Sequence, residues 1–309
     1  MTGPTRNILK RILQVLVIAV IFYFIGRQIY EHWAEVVEYP WQLNFWYIAL
    51  ALILVLITFF IFSSVWRLII KTLGKPVGLC KAYKIAYLAN LGRYIPGKVW
   101  QVFGMIYLAK KEGISEEESV TSFVLTQIFA IPAAFFTGLL FLALDGDALD
   151  KFSESNYFSA GIIAVAMIIF MGSLVIVFFP GLVERLLNRL LKIMKRPPLR
   201  IVINKSLAAS IYAGYSLAWC LYGIAFWLFL KGITDQPAAV LSMTGIFIIA
   251  YQIGYLVLLA PGGVGPREGA LTLLLTPFFG PAALVVPIAA RLWLIVAETL
   301  SALVALKIK

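Results

Sequence analysis

The chain is poor in the residues on which most soluble chemistry depends. Its 309 residues include one histidine, two cysteines and 15 acidic side chains, and only 13% are charged. No CxxC or HExxH spacing occurs, so neither a metal nor another cofactor is expected. No Gly-rich phosphate loop ends in Lys-Ser or Lys-Thr, which excludes ATP-driven work within the chain. Cys80 stands in a basic loop and Cys220 inside an apolar run, so a disulfide framework is excluded as well. The lone His32 sits in an aromatic, acidic loop and reads as a solvated side chain.

What is abundant is apolar. Hydrophobic residues make up 62% of the chain, and the mean hydropathy is +0.94. Soluble domains hold about 45–50% apolar residues, and no water-soluble core absorbs the difference. Uncharged runs occupy residues 12–26, 39–66, 119–144, 155–183, 206–230 and 236–266, and a further run, 281–306, contains only Arg291 and Glu298. A bilayer crossing needs about 20 apolar residues. The expected fold is therefore an all-α polytopic membrane protein, one integral-membrane domain over 1–309 with about seven or eight transmembrane helices and no soluble domain. The net charge of +11 belongs to loops facing anionic lipid, which makes nucleic acid an unlikely partner.

Loop charges orient the spans. Residues 67–84 carry five basic side chains and no acidic one, and residues 184–205 carry seven basic and one acidic. Residues 31–38 and 145–154 are acidic instead. The positive-inside rule places the N-terminus and both basic loops in the cytoplasm of a cell's inner or plasma membrane. The side of the C-terminus stays open: Lys307 and Lys309 favour inside, parity of spans favours outside. Within 182–196, Arg185, Arg189 and Lys192 alternate with Leu, Ile and Met at helical spacing, which predicts an amphipathic helix on the cytoplasmic surface.

Two hydrophobic segments are interrupted. Near 85–109 the break is Arg93, Pro96, Gly97 and Lys98, and each half is too short to span. Between the inside loop at Lys84 and the outside loop at Asp145 the chain crosses an odd number of times. Ser115 and Glu118 open a complete helix with a capping box, so the interrupted segment is the one expected to enter and return. Near 259–278 the second break contains Pro261, Gly262, Gly263, Gly265 and Pro266, and its apolar piece is expected to end near Pro277. Irregular backbone at membrane depth needs burial in protein or a wet cavity, and paired breaks of this kind mark a transporter's central site.

Charges collect at the same places. Arg93, Lys98, Arg267, Glu268, Arg291 and Glu298 lie in or beside apolar segments, where each costs roughly 2.5–3.5 kcal/mol unless paired or hydrated. Four positive against two negative charges ask for an anionic ligand, and Arg suits phosphate because its planar fork binds two oxygens. Arg93, Arg267 and Arg291 are the candidate lipid head-group ligands, with Glu268 and Glu298 as counter-ions or a proton relay. Glu268 is expected to open a half-helix near Arg267 whose free N–H groups favour an anion. Arg291 and Glu298 share one helix face. Tyr94, Trp100 and Trp293 are candidates for lining a lipid groove or simply for packing.

The string RYIPGKVWQVFG (93–104), then Gly113, and the string PGGVGPREGAL (261–271), then Arg291, resemble the membrane region of the lysylphosphatidylglycerol synthases. The resemblance implies a flippase-like domain that moves phospholipid between leaflets, with Arg93, Pro96, Gly97, Gly262, Gly263, Glu268 and Arg291 at family motif positions. The chain ends at Lys309 with no soluble aminoacyl-transfer domain, so no enzymatic activity is expected. The leading expectation is a translocator of an anionic phospholipid or a polyprenyl-phosphate-linked lipid. The alternatives are an accessory subunit for a lipid synthase or glycosyltransferase, and an intramembrane lipid-phosphate transferase with Glu268 as base.

Overall fold

Long uncharged runs can satisfy their backbone in lipid only as helices or closed barrels, and here they are helices. The computed structural model describes residues 41–308 apart from 96–98, 153–155, 194–195, 197, 237 and 258–259. In chain order the helices are α1 (Phe45–Thr72), α2 (Leu79–Asn90), α3 (Val99–Ala109), α4 (Glu116–Ala143), α5 (Gly146–Phe152), α6 (Asn156–Phe178), α7 (Pro180–Ile193), α8 (Lys205–Lys231), α9 (Val240–Leu256), α10 (Pro266–Phe279) and α11 (Val285–Lys307). No strand occurs among the described residues.

Cap and loop contacts define two ends of the bundle. At the basic end Lys81 pairs with Glu112 at 2.7 Å, Lys75 with Glu118 at 3.8 Å, and Arg196 with Glu117 at 2.9 Å. The Lys84 ammonium also donates to the Ile308 carbonyl at 2.5 Å, so the end of α11 lies on this side. At the other end the Asn44 N–H donates to the Gly232 carbonyl at 2.9 Å, and the Ser242 N–H donates to the Asp145 carboxylate at 3.2 Å. Helices α1, α4, α8 and α11 therefore run from one end to the other. At 1.5 Å per residue the 28 residues of α1 extend about 42 Å, more than a hydrocarbon core of about 30 Å.

The two interrupted segments do not run through. Helices α2 and α3 have 12 and 11 residues, about 18 Å each, and fold against one another. A Cβ on Gly92 would lie 2.6 Å from the Gln101 nitrogen, and one on Gly104 would lie 3.3 Å from the Ala89 Cα. This is antiparallel register around a tight tip. The hairpin starts and finishes at the basic end. The second hairpin, α9 and α10, starts at the acidic end beside Asp145. It returns there, where the Phe278 ring meets Phe152 at 5.6 Å. The tips meet: a Cβ on Gly262, in the 3-10 turn Pro261–Gly263, would touch the Tyr94 ring at 2.5 Å.

Seven or eight spans were expected; the described residues contain four stretches long and apolar enough to cross a membrane, or five if the bent pair of α6 and α7 is one span. One sequence-based boundary needs correction: the uncharged run 236–266 is not a crossing, because the helix ends at Leu256 and the chain turns back as α10. The apolar piece after the second break ends near Pro277, as expected: that residue sits in the last turn of α10, and the stop comes at Gly280, whose φ of 54° favours glycine. The apolar run 12–26, His32, Pro96, Gly97 and Lys98 lie outside the described residues.

Other local expectations hold. The Glu118 N–H donates to Ser115 Oγ at 3.1 Å and the Ser115 N–H to Glu118 Oε2 at 2.7 Å, a complete capping box. Helix α7 buries Val183, Leu187 and Leu191 along one stripe and exposes Arg185, Arg189 and Lys192. It leaves the end of α6 at 87°. Cys80 and Cys220 are both free thiols. The two-ended arrangement predicts labelling. In a Cys220→Ser background reconstituted in one orientation, an impermeant maleimide reaches Cys80 and an Ile308→Cys thiol from the same side. In a Cys80→Ser, Cys220→Ser background, it reaches an Asp235→Cys thiol only from the other side.

Candidate functional site

Five of the six charged residues singled out in the sequence, all but Lys98, which lies outside the described residues, converge where the hairpin tips meet α11. Arg93 and Tyr94 come from the 3-10 turn Leu91–Tyr94 that follows α2. Arg267 and Glu268 open α10, and Arg291 and Glu298 project from α11. All five charged side chains among these are buried, Arg291 with 2% of its surface exposed and Glu268 with 4%.

Two linked ion-pair groups result. In the first, the Arg93 guanidinium donates to Glu298 Oε1 and the Tyr94 hydroxyl donates to Glu298 Oε2. A second Arg93 nitrogen donates to the Tyr251 hydroxyl of α9 at 2.8 Å. In the other group, Glu268 Oε1 accepts from Arg267 at 3.1 Å and from Arg291 at 3.2 Å. Glu268 Oε2 accepts the Gly265 N–H at 2.8 Å, closing the helix N-terminus. Arg291 also donates to the Gly262 carbonyl at 3.2 Å. The Tyr94 ring joins the groups, with the Arg93 and Arg291 guanidiniums 5.2 and 5.6 Å from its centroid, inside cation–π range.

Backbone proximity makes this convergence possible. A Cβ on Gly254 would come within 2.9 Å of the Arg267 Cα, so glycine lets α9 and the start of α10 touch. Gly262 has φ 58° and leaves the space that the Tyr94 ring fills.

The geometry revises one expectation. The N-terminus of α10 is not free for an external anion, because Glu268 already caps it. Arg291 and Glu298 share the inward face of α11, as expected, and each is held by a different hairpin. The electrostatic argument survives in a reduced form. Three arginines stand against two glutamates, and among the described residues the Nε and Nη2 of Arg291 have no hydrogen-bond partner. A buried guanidinium with unpartnered nitrogens in a surplus of positive charge carries a desolvation cost that nothing among the described residues offsets.

Next to Arg93 lies a cavity of about 150 Å³ between α1, α2, α3, α4, α8 and α9. Among the described residues that line it, Arg93 is the only charged one. Among the described residues no group of three or more His, Cys, Asp or Glu side chains is placed to hold a metal ion.

Comparison with known proteins gives this site its context. The family model described as the lysylphosphatidylglycerol synthase TM region matches residues 11–297. The chain belongs to that family. Membership implies a multi-pass membrane protein whose function concerns membrane lipid, and the apolar helices agree with it. No curated protein compared with the chain matches it.

The site in this family member also includes groups that sequence reasoning passed over. Tyr251 lay within an uncharged run read as an ordinary span, and its only signal was the spacing of Tyr251, Gln252 and Tyr255 just before the break. Of the aromatic candidates, Tyr94 is in the centre. Trp293 stacks on Phe229 at 4.9 Å as packing, and Trp100 is exposed beside Phe103 on the outer surface.

Breaking a buried pair leaves an uncompensated charge and typically costs about 3–5 kcal/mol. Arg93→Met is therefore expected to lower the thermal unfolding midpoint in detergent sharply. The double change Arg93→Met, Glu298→Met is expected to recover most of the loss, and unfolding scans of the two proteins side by side test this.

Proposed function

We propose that the chain is a lipid translocator that carries an anionic phospholipid, or a polyprenyl-phosphate-linked lipid, between leaflets. The observation that supports it most directly is the buried arginine surplus, with two unspent Arg291 donors, at the junction of two hairpins that enter from opposite ends. A phosphate there neutralises the surplus and accepts the free donors. Arg93, Arg267 and Arg291 are the head-group ligands, and Glu268 and Glu298 hold them in place between transport events. An aminoacylated head group brings its own positive charge and fits this balance less well than a plain lipid phosphate.

The architecture agrees with that role. Hairpins α2–α3 and α9–α10 are read as re-entrant segments, the pattern that places a substrate site between broken helices near mid-membrane. The basic end then faces the cytoplasm and carries the C-terminus with it. Helix α7 lies in the interface of the inner or plasma membrane with its basic face toward anionic lipid. Opening one hairpin at a time gives each leaflet access to the arginines in turn, while the acyl chains stay in the bilayer. This reading assigns no catalytic step to the chain.

Sealed liposomes containing the purified protein test it. Labelled phosphatidylglycerol is expected to exchange leaflets faster than labelled phosphatidylcholine. Arg291→Gln removes a charge-assisted interaction worth about 1.5–3 kcal/mol and is expected to slow that exchange by roughly 10–100-fold, with Glu268→Gln alongside. Exchange of the anionic lipid that is no faster than phosphatidylcholine, or that is unchanged in both folded variants, refutes the translocator and leaves the accessory role.

A further inference from the structure

The two halves of the bundle have the same order of parts. Helix α1, a hairpin entering from the basic end and helix α4 make one half; α8, a hairpin entering from the acidic end and α11 make the other. Each part runs opposite to its counterpart, since α1 starts at the acidic end beside Gly232, where α8 finishes. The tips read Pro96-Gly97-Lys98-Val99 and Pro261-Gly262-Gly263-Val264, and a glycine follows each valine by five residues, Gly104 and Gly269. Both returning arms end in a left-handed glycine, Gly113 with φ 73° and Gly280 with φ 54°.

Burial repeats along the flanking helices as well. Every buried residue of α1 has a buried counterpart in or directly after α8 at one constant offset, the offset that takes Val55 to Tyr215, Phe59 to Trp219 and Trp66 to Phe226. Contact between the two helices is reciprocal, as across a two-fold axis. Phe62 meets Trp219 edge-on at 5.0 Å, and their counterparts Tyr222 and Phe59 meet edge-on at 5.8 Å. The first arms of the hairpins exchange halves in the same manner. Helix α9 lies on α4 where Gly245 touches Gly138, and α2 lies on α11, where the Tyr87 hydroxyl donates to the Glu298 carbonyl at 2.9 Å. Repeats of inverted topology are a common basis of alternating access.

The halves differ in what fills them. On α4, Phe123, Thr126 and Ala130 line the cavity beside Arg93. The buried stripes of α4 and α11 match with Leu125 on Trp293 and Phe129 on Ala297, which puts Arg291, Leu294 and Glu298 at the positions of those three lining residues. A space that stands open in one half is thus taken up by the ion-pair centre in the other. Phe123 lies about two turns from the basic end of α4, and Arg291 about two turns from the acidic end of α11. The two spaces therefore face opposite ends.

We infer that the two halves form an inverted repeat held here in one of two states, and that the other state opens the space before Arg291, Leu294 and Glu298 toward the acidic end while the cavity beside Arg93 closes. The repeat stands on geometry alone; its use in carrying a lipid phosphate rests on the translocator reading. The second state gives Arg291 Nε and Nη2, buried and unpartnered among the described residues, a route to an anion from the acidic end.

Cysteine reporters at matched positions test this in a Cys80→Ser, Cys220→Ser background. Thr126→Cys lines the present cavity, and Leu294→Cys, at a site now 2% exposed, is its counterpart. Ala297→Cys is the control for local unfolding, because its counterpart Phe129 is not among the lining residues. In liposomes of one orientation, an impermeant maleimide is expected to modify Thr126→Cys from the basic end and Leu294→Cys from the acidic end. The second rate is expected at roughly a tenth to a thousandth of the first, as for a minor state populated at about 0.1–10%, and ahead of Ala297→Cys. A bulky side chain in the present cavity, Ala86→Phe or separately Ile131→Trp, keeps that cavity from closing. Either is expected to slow modification of Leu294→Cys about fivefold or more in protein with an unchanged elution profile. Leu294→Cys modified no faster than Ala297→Cys, modified from the basic end, or indifferent to both bulky variants overturns the two-state repeat. Labelling needs no transport, so the two readings fail separately. The expected labelling without leaflet exchange of any lipid keeps the repeat and refutes the translocator, and lipid exchange with Leu294→Cys inert does the reverse.

Discussion

Five ionisable side chains buried among apolar helices must neutralise one another or find a ligand, and the rest of this structure is arranged around that constraint. Glu298 takes Arg93 and Tyr94 on its two oxygens, and Glu268 takes Arg267, Arg291 and a backbone N–H. Every carboxylate oxygen is used. The arginines are not: one guanidinium keeps nitrogens without a partner among the described residues. Buried ion pairs add little net stability, because desolvation offsets most of the Coulomb gain. The fold therefore carries this centre at a thermodynamic cost that a purely structural core of leucine and phenylalanine would avoid.

The hairpins explain how so much charge reaches the middle of an apolar bundle. Neither α2–α3 nor α9–α10 runs the full length, and each ends in a polar tip held against the other by the contact of Gly262 with Tyr94. Helix α11 supplies the third side, with Arg291 bound to one hairpin and Glu298 to the other. A single continuous helix is thus tied to both broken segments seven residues apart, two turns along its axis. Both hairpins and α11 are thereby joined through two ion pairs on one helix face.

Much of this was legible in the sequence. A run without charges reads as a helix whatever its neighbours are, and a charge within such a run stands out because lipid cannot solvate it. Hence Arg93, Arg267, Glu268, Arg291 and Glu298 were all visible as a group. Their pairing was not, since Arg93 and Glu298 are 205 residues apart and nothing local links them. The run 236–266 misled for a related reason. Hydropathy measures only whether a segment tolerates lipid, and half of a hairpin tolerates it as well as a full span does. Neutral polar side chains are the least visible of all. Gln101, Gln252 and Tyr222 look like ordinary members of mixed helices until the packing of six helices places them around one cavity.

The same separation has a consequence for biosynthesis. Ribosomes add about 5–20 residues per second, so the 205 residues between Arg93 and Glu298 take roughly 10–40 s to make. Throughout that interval the first hairpin has emerged while its carboxylate does not yet exist. Lipid does not readily accept an unpaired arginine, so a chain truncated before α11 leaves Arg93 without the carboxylate that neutralises it.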